Sequence, residues 1–122
     1  MKLKVGQFAR LKSGYICKII NINDFREPNM KYGVEANYLK DVMFIGDDDV
    51  VKASYNIIDI LEVGDYVNGF EILRIDKECN LYPKTLKCQY SNNIDYFDIF
   101  NEDIKSVITH EQMEQMAYRV GE

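Results

Sequence analysis

The sequence predicts a mainly β protein with a minor α contribution: a small SH3-like, partly open β-barrel with a short C-terminal helix. Three observations predict it. Two segments begin alike, Val5-Gly6-Gln7-Phe8-Ala9 and Val63-Gly64-Asp65-Tyr66-Val67. Each leads through a further glycine and an aromatic into an alternating run, Gly14 to Ile19 and Gly69 to Ile75, with the period of two that marks a strand. Near the end, Thr109 and Gln112 form the T-x-x-Q capping box that opens a helix.

Taken in order, the Val-Gly-polar-aromatic start fits a turn in which glycine accepts a strained backbone before the strand begins. In the first run Tyr15, Cys17 and Ile19 share one face, and Cys17 points inward. Asn21 to Lys31 is polar, carries Pro28 and reads as a loop. Tyr32 to Leu39 and Val42 to Ile45 read as strands, and Gly46-Asp47-Asp48-Asp49 as the turn joining Val42–Ile45 to Val50–Ala53 in a hairpin. Ser54 caps a short helical turn over Asn56 to Leu61 that ends by Gly64, although its apolar density also suits a strand. Weak alternation follows through Leu81, Leu86, Cys88 and Tyr90, then through Tyr96, Asp98 and Phe100. Ile104 to Ile108 reads as a strand and His110 to about Met116 as a two-turn helix. A helix that short needs support, so Met113 and Met116 are expected to pack on the sheet. Tyr118 and Val120 offer a closing strand or tail.

A chain of 122 residues bounds the organisation to one compact domain over 1–122, or two small β sub-modules of about 1–53 and 54–122. Apolar residues at 47% and charged residues at 29% suit a globular protein with a core of its own. No run approaches a membrane span, and the start MKLKVGQFARLK lacks an apolar signal core, so a cytoplasmic protein outside the membrane is expected.

Composition also bears on chemistry. One histidine, His110, and three cysteines, Cys17, Cys79 and Cys88, do not supply the four closely spaced ligands of structural zinc. No nucleophile elbow, phosphate loop or dinucleotide fingerprint is present. The expectation is therefore a protein that is not an enzyme, with no catalytic residues, no metal and no cofactor. His110 reads as a solvated first-turn residue.

The net charge of −5 is uneven along the chain. Residues 1–26 carry six cations and one acid, whereas residues 41–71 carry eight acids and one lysine. An acidic face complementary to a basic partner is one reading, and a solvated acidic surface is the other. Direct nucleic-acid binding is disfavoured by a pI of about 4.9.

The string VVKASYNIIDILEVGDYVNGFEILRI, with its VGDYVNG core, and the downstream DIKSVITHEQMEQMAYRVGE resemble a group of small uncharacterised proteins of phages and prophages of Firmicutes. The resemblance covers the second half well and the start loosely, and it carries no active site to transfer. It implies an origin: an accessory product acting in the cytoplasm of a bacterial host.

Three functions follow as expectations. The first is a counter-defence protein, anti-CRISPR-like, that blocks a basic, nucleic-acid-handling host immunity factor. Its acids would be Asp47, Asp48, Asp49, Asp59, Glu62 and Asp65, with Tyr55 and Tyr66 as anchors. The second is a sponge for a nucleotide-derived signal, using Arg10, Lys12, Tyr15, Arg74 and Tyr82, completed across a homo-oligomer. The third is an SH3-like adaptor of phage origin.

Overall fold

A computed structural model describes residues 2–36, 42–77, 83–89 and 96–116. The protein is mainly β, with two five-stranded antiparallel sheets and one short C-terminal helix. It divides into two units, Met1–Ile60 and Leu61–Glu122.

The first unit contains β1 (Phe8–Leu11), β2 (Ile16–Ile22), β3 (Tyr32–Glu35), β4 (Met43–Ile45) and β5 (Val50–Ser54), in the spatial order β4-β3-β2-β1-β5. Four strands run as a meander, and the fifth returns to pair with the first. Alternation selects the core: Ala9 and Leu11 of β1, Cys17 and Ile19 of β2, Tyr32 and Val34 of β3, Ile45 and Val50 are buried together with Leu3. Tyr15 packs against this cluster, so Tyr15, Cys17 and Ile19 do line one side. The order corrects one expectation. Val42–Ile45 and Val50–Ala53 do not form a hairpin: β4 pairs with β3 and β5 with β1, at opposite edges. The 3-10 turn at Asp47–Asp49 carries the chain from one edge to the other.

The second unit repeats this plan with β6 (Tyr66–Val67), β7 (Phe70–Asp76), β8 (Thr85–Gln89), β9 (Tyr96–Ile99) and β10 (Val107–Ile108), ordered β10-β6-β7-β8-β9. Here too a 3-10 turn, Asn101–Asp103, precedes the strand that returns to the first. Val67, Ile72, Leu86, Cys88 and Ile99 are buried, and Phe70 meets Phe97 edge to face at 4.9 Å. Asn68 and Gly69, both at positive φ, make the tight β6–β7 turn. Among the described residues neither sheet closes on itself, which is compatible with a partly open barrel.

The two Val-Gly starts are the same device. Gly6 and Gly64 have φ of +94° and +97°, a region that favours glycine. The amide of Gly6 donates to Ile19 O, as that of Gly64 does to Ile72 O, at 2.8 and 3.0 Å. The amides of Ile19 and Ile72 return the bond to Gln7 O and Asp65 O, at 2.9 and 2.8 Å. The loop between these positions is five residues shorter in the second unit, the length difference that blurs the repeat in the sequence.

The boundary between the two units falls after Ile60. The predicted helical turn is a 3-10 helix over Ile57–Ile60 that belongs to the first unit, with Ile58 and Ile60 buried. The Arg10 guanidinium reaches it and donates to Ile60 O at 3.1 Å. At the C-terminal end the strand is only two residues long, because the amides of Lys105 and Ser106 donate to Asn68 Oδ1 instead of to a ladder.

Helix α1 (His110–Met116) follows the predicted capping box: Thr109 N donates to Gln112 Oε1 at 3.0 Å and Gln112 N to Thr109 Oγ1 at 3.3 Å. The methionines do not pack on the sheet as expected. Met113 and Met116 are 38% and 66% exposed, and α1 buries none of its residues. Its start is anchored by polar bonds instead of by an apolar face. Leu39, Cys79, Leu81, Tyr90, Tyr118 and Val120 lie outside the described residues. No helix among the described residues is long and apolar enough to cross a membrane.

Candidate functional site

The acidic run Asp47-Asp48-Asp49 forms an exposed 3-10 turn. Two of its carboxylates also serve the fold. Asp47 Oδ1 accepts the Tyr32 hydroxyl at 2.7 Å, and Asp49 Oδ2 accepts the Gly46 amide at 2.9 Å. Burial, and then Asp47 itself, push the Tyr32 phenol above its ordinary range. The third residue of the turn gives its carbonyl to the first hairpin, with Lys12 N donating to Asp49 O at 2.9 Å.

The second unit places an acidic turn at the same point. Asn101-Glu102-Asp103 lies between β9 and β10 as Asp47–Asp49 lies between β4 and β5, and Glu102 and Asp103 are exposed. Again the third residue gives its carbonyl to the first hairpin, Asn68 Nδ2 donating to Asp103 O at 2.9 Å. Among the described residues, no lysine or arginine forms an ion pair with Asp47, Asp48, Asp49, Glu102 or Asp103. Single-stretch charge counting misses Glu102 and Asp103. The Val-Gly spacing does not find them either, because it carries Asp47–Asp49 onto Lys105-Ser106-Val107; the shared order of elements in the two units does.

The other expected partner-binding residues divide. Asp59 is exposed and accepts the Ser54 hydroxyl at 2.8 Å, and Tyr55 is exposed beside Gly6. The Tyr66 hydroxyl donates to Glu71 Oε1 at 3.1 Å, and that bond raises its pKa. Glu62 is half-buried, with Oε1 3.0 Å from His110 Nε2. Asp65 is a correction: it is 0% exposed and belongs to no surface. Its carboxylate accepts the amides of Glu62 and His110 at 2.7 and 2.9 Å, so the turn and the helix start consume it.

The nucleotide-binding set is divided between the two units. Arg10 is 1% exposed and spends its guanidinium inside the first unit, which corrects its reading as a phosphate ligand. Lys12 is exposed and Tyr15 packs on the core. Arg74 stands in the other unit, where it pairs with Asp76 at 2.9 Å, and Tyr82 lies outside the described residues. The buried thiols are protonated at neutral pH: burial pushes Cys17 up to about 12 and raises Cys88. His110 is not simply solvated, since its ring faces both Glu62 and Glu111.

No protein-family model, curated protein or solved structure matches the chain.

Proposed function

We propose that the protein is a non-enzymatic binder that blocks a basic, nucleic-acid-handling protein of a bacterial host. The observation that carries this reading is the exposed acidic turn repeated at the same point of both units; among the described residues none of its five carboxylates forms an ion pair, and Lys31 acts on Asp47 only through space. Exposed carboxylates outside ion pairs raise the local negative potential, speed encounter with a basic partner and fix its orientation. Their backbone is held by the first hairpin of each unit, so little ordering remains to be done on binding. The phage resemblance supports a defence factor as target and the host cytoplasm as the place of action.

The test is affinity capture from bacterial host lysate with the wild type and with a charge-reversed chain carrying Asp48→Lys, Glu102→Lys and Asp103→Lys. The wild type should retain a basic protein that is released as salt shortens the screening length from about 10 Å at 0.1 M to about 3 Å at 1 M. The reversed chain should lose it. Equal retention by both chains, or release indifferent to salt, overturns the reading.

A further inference from the structure

Away from the acidic turns, three side chains of the second unit converge. Glu62 Oε1 lies 3.0 Å from His110 Nε2, and Glu111 Oε1 lies 3.4 Å from the same nitrogen. One ligand atom from each residue lies within 4.8 Å of the other two, and all three residues are half-buried. We propose that Glu62, His110 and Glu111 bind a divalent transition-metal ion of the zinc class, through one imidazole nitrogen and two carboxylate oxygens.

The spacing suits such an ion. Bonds of about 2.0–2.2 Å arranged tetrahedrally set neighbouring donors about 3.3–3.6 Å apart; the Glu111 separation of 3.4 Å falls within that range and the Glu62 separation of 3.0 Å needs a small outward shift to reach it. The charges suit it too, because two carboxylates and a neutral imidazole balance a dication. The donor set selects the class: imidazole with carboxylate and no thiolate favours zinc and its neighbours over calcium or magnesium. Three protein ligands leave a position for water or for a group from a partner.

Asp65 preorganises the site. Its two oxygens accept the amides of Glu62 and His110, so one buried carboxylate fixes both ligand-bearing stretches of backbone. The same carboxylate offsets the positive end of α1, which would otherwise oppose a cation.

The first unit shows that the framework does not require these ligands. There Gln7 does the work of Asp65, accepting the Lys4 amide at 2.9 Å, and Lys4 stands where Glu62 stands. A Cβ on Gly6 would stand 3.6 Å from the Tyr55 ring, where one on Gly64 would stand 3.7 Å from His110 Cβ. One framework thus carries lysine, glutamine and tyrosine in one unit and glutamate, aspartate and histidine in the other. The metal site uses no residue of the acidic turns and stands independently of the proposed partner.

The experiment is calorimetric titration of the chelator-treated full chain with zinc chloride, beside the visible spectrum of the cobalt(II) form. One zinc per chain is expected, with a tetrahedral ligand-field band and no thiolate charge-transfer band. His110→Gln and Glu62→Gln should each weaken zinc by at least about tenfold, the lower end of what even outer-shell changes cost. Glu114→Gln, on the same helix, should leave it unchanged. Metal-free thermal melts establish that each variant is folded, and if one is not, the wild-type cobalt spectrum decides. Absence of zinc binding at millimolar metal, affinity unchanged in both folded variants, or a thiolate band overturns the site.

Discussion

Gln7 and Asp65 hold the same post in the two units: each side-chain oxygen accepts the amide three residues upstream, that of Lys4 at 2.9 Å and that of Glu62 at 2.7 Å. They differ in reach. Asp65 accepts a second amide from His110 and is buried, whereas the bond of Gln7 is exposed. Charge-assisted bonds of this kind contribute about 1.5–3 kcal/mol, against about 1 kcal/mol for an ordinary one. Asp65→Ala should therefore destabilise the second unit by about 3 kcal/mol and Gln7→Ala the first by under about 1 kcal/mol. Hydrogen exchange at the amides of Glu62, His110 and Lys4 reads the two losses separately, and equal losses would refute the ranking.

Arg10 is expected to behave as a core residue. Arg10→Ala removes the donor to Ile60 O and leaves a hole beneath the Ile57–Ile60 turn, with a cost of about 3 kcal/mol in urea unfolding. A change under about 0.5 kcal/mol, the size of an ordinary surface substitution, would return Arg10 to the surface.

Alkaline pH should weaken the first unit through two groups. The Cys17 thiol, ordinarily near 9.0, is pushed up to about 12 by burial, and Tyr32 is raised above its ordinary 10.0 by burial and the Asp47 carboxylate. Both folded values exceed the unfolded ones. Their stabilisation is therefore complete below pH 9 and is lost as pH rises, from 9 to about 12 for Cys17 and from 10 upward for Tyr32. Cys17→Ala should flatten the loss that begins at pH 9. Tyr32→Phe should flatten the part above 10 and cost about 1 kcal/mol at neutral pH for the lost bond to Asp47. Stability measured across that range in the three chains checks both, and superimposable curves would contradict them.

Gly46 and Gly69 separate two reasons for glycine. A Cβ on Gly46 would stand 2.5 Å from Pro28 O and 2.7 Å from Asn29 Cα, both backbone atoms, while a Cβ on Gly69 meets nothing within 4 Å but must adopt φ of +87°. Gly46→Ala should cost about 2 kcal/mol or more and disturb the neighbouring acidic turn. Gly69→Ala should cost about 1 kcal/mol, the price of backbone strain alone. Thermal melts of the two variants give the order, and the reverse order would exclude the steric account.

Short-range signals were the legible ones. The Val-Gly starts, the alternation through Cys17 and Ile19 and the Thr109–Gln112 box each act within a few residues, and each stands as read. What escaped was set by distant partners. The chain from β4 to β5 reads as a hairpin because nothing local reveals that β5 belongs beside β1, more than 40 residues earlier. Arg10 and Asp65 read as surface groups because charge ordinarily stays wet, and distant partners, the Ile60 carbonyl and the Glu62 and His110 amides among them, make their burial tolerable. The acidic run at Asp47–Asp49 was visible as composition, whereas its counterpart at Glu102 and Asp103 emerges only when the two units are laid over one another.

In both units the final strand runs alongside the opening one, so the point where the backbone leaves lies next to the point where it arrived. A stretch with neighbouring ends can be copied head to tail, or spliced into a host loop, without bending the surrounding polypeptide. That economy makes doubling such a stretch a small genetic event, after which each copy is free to drift toward its own chemistry.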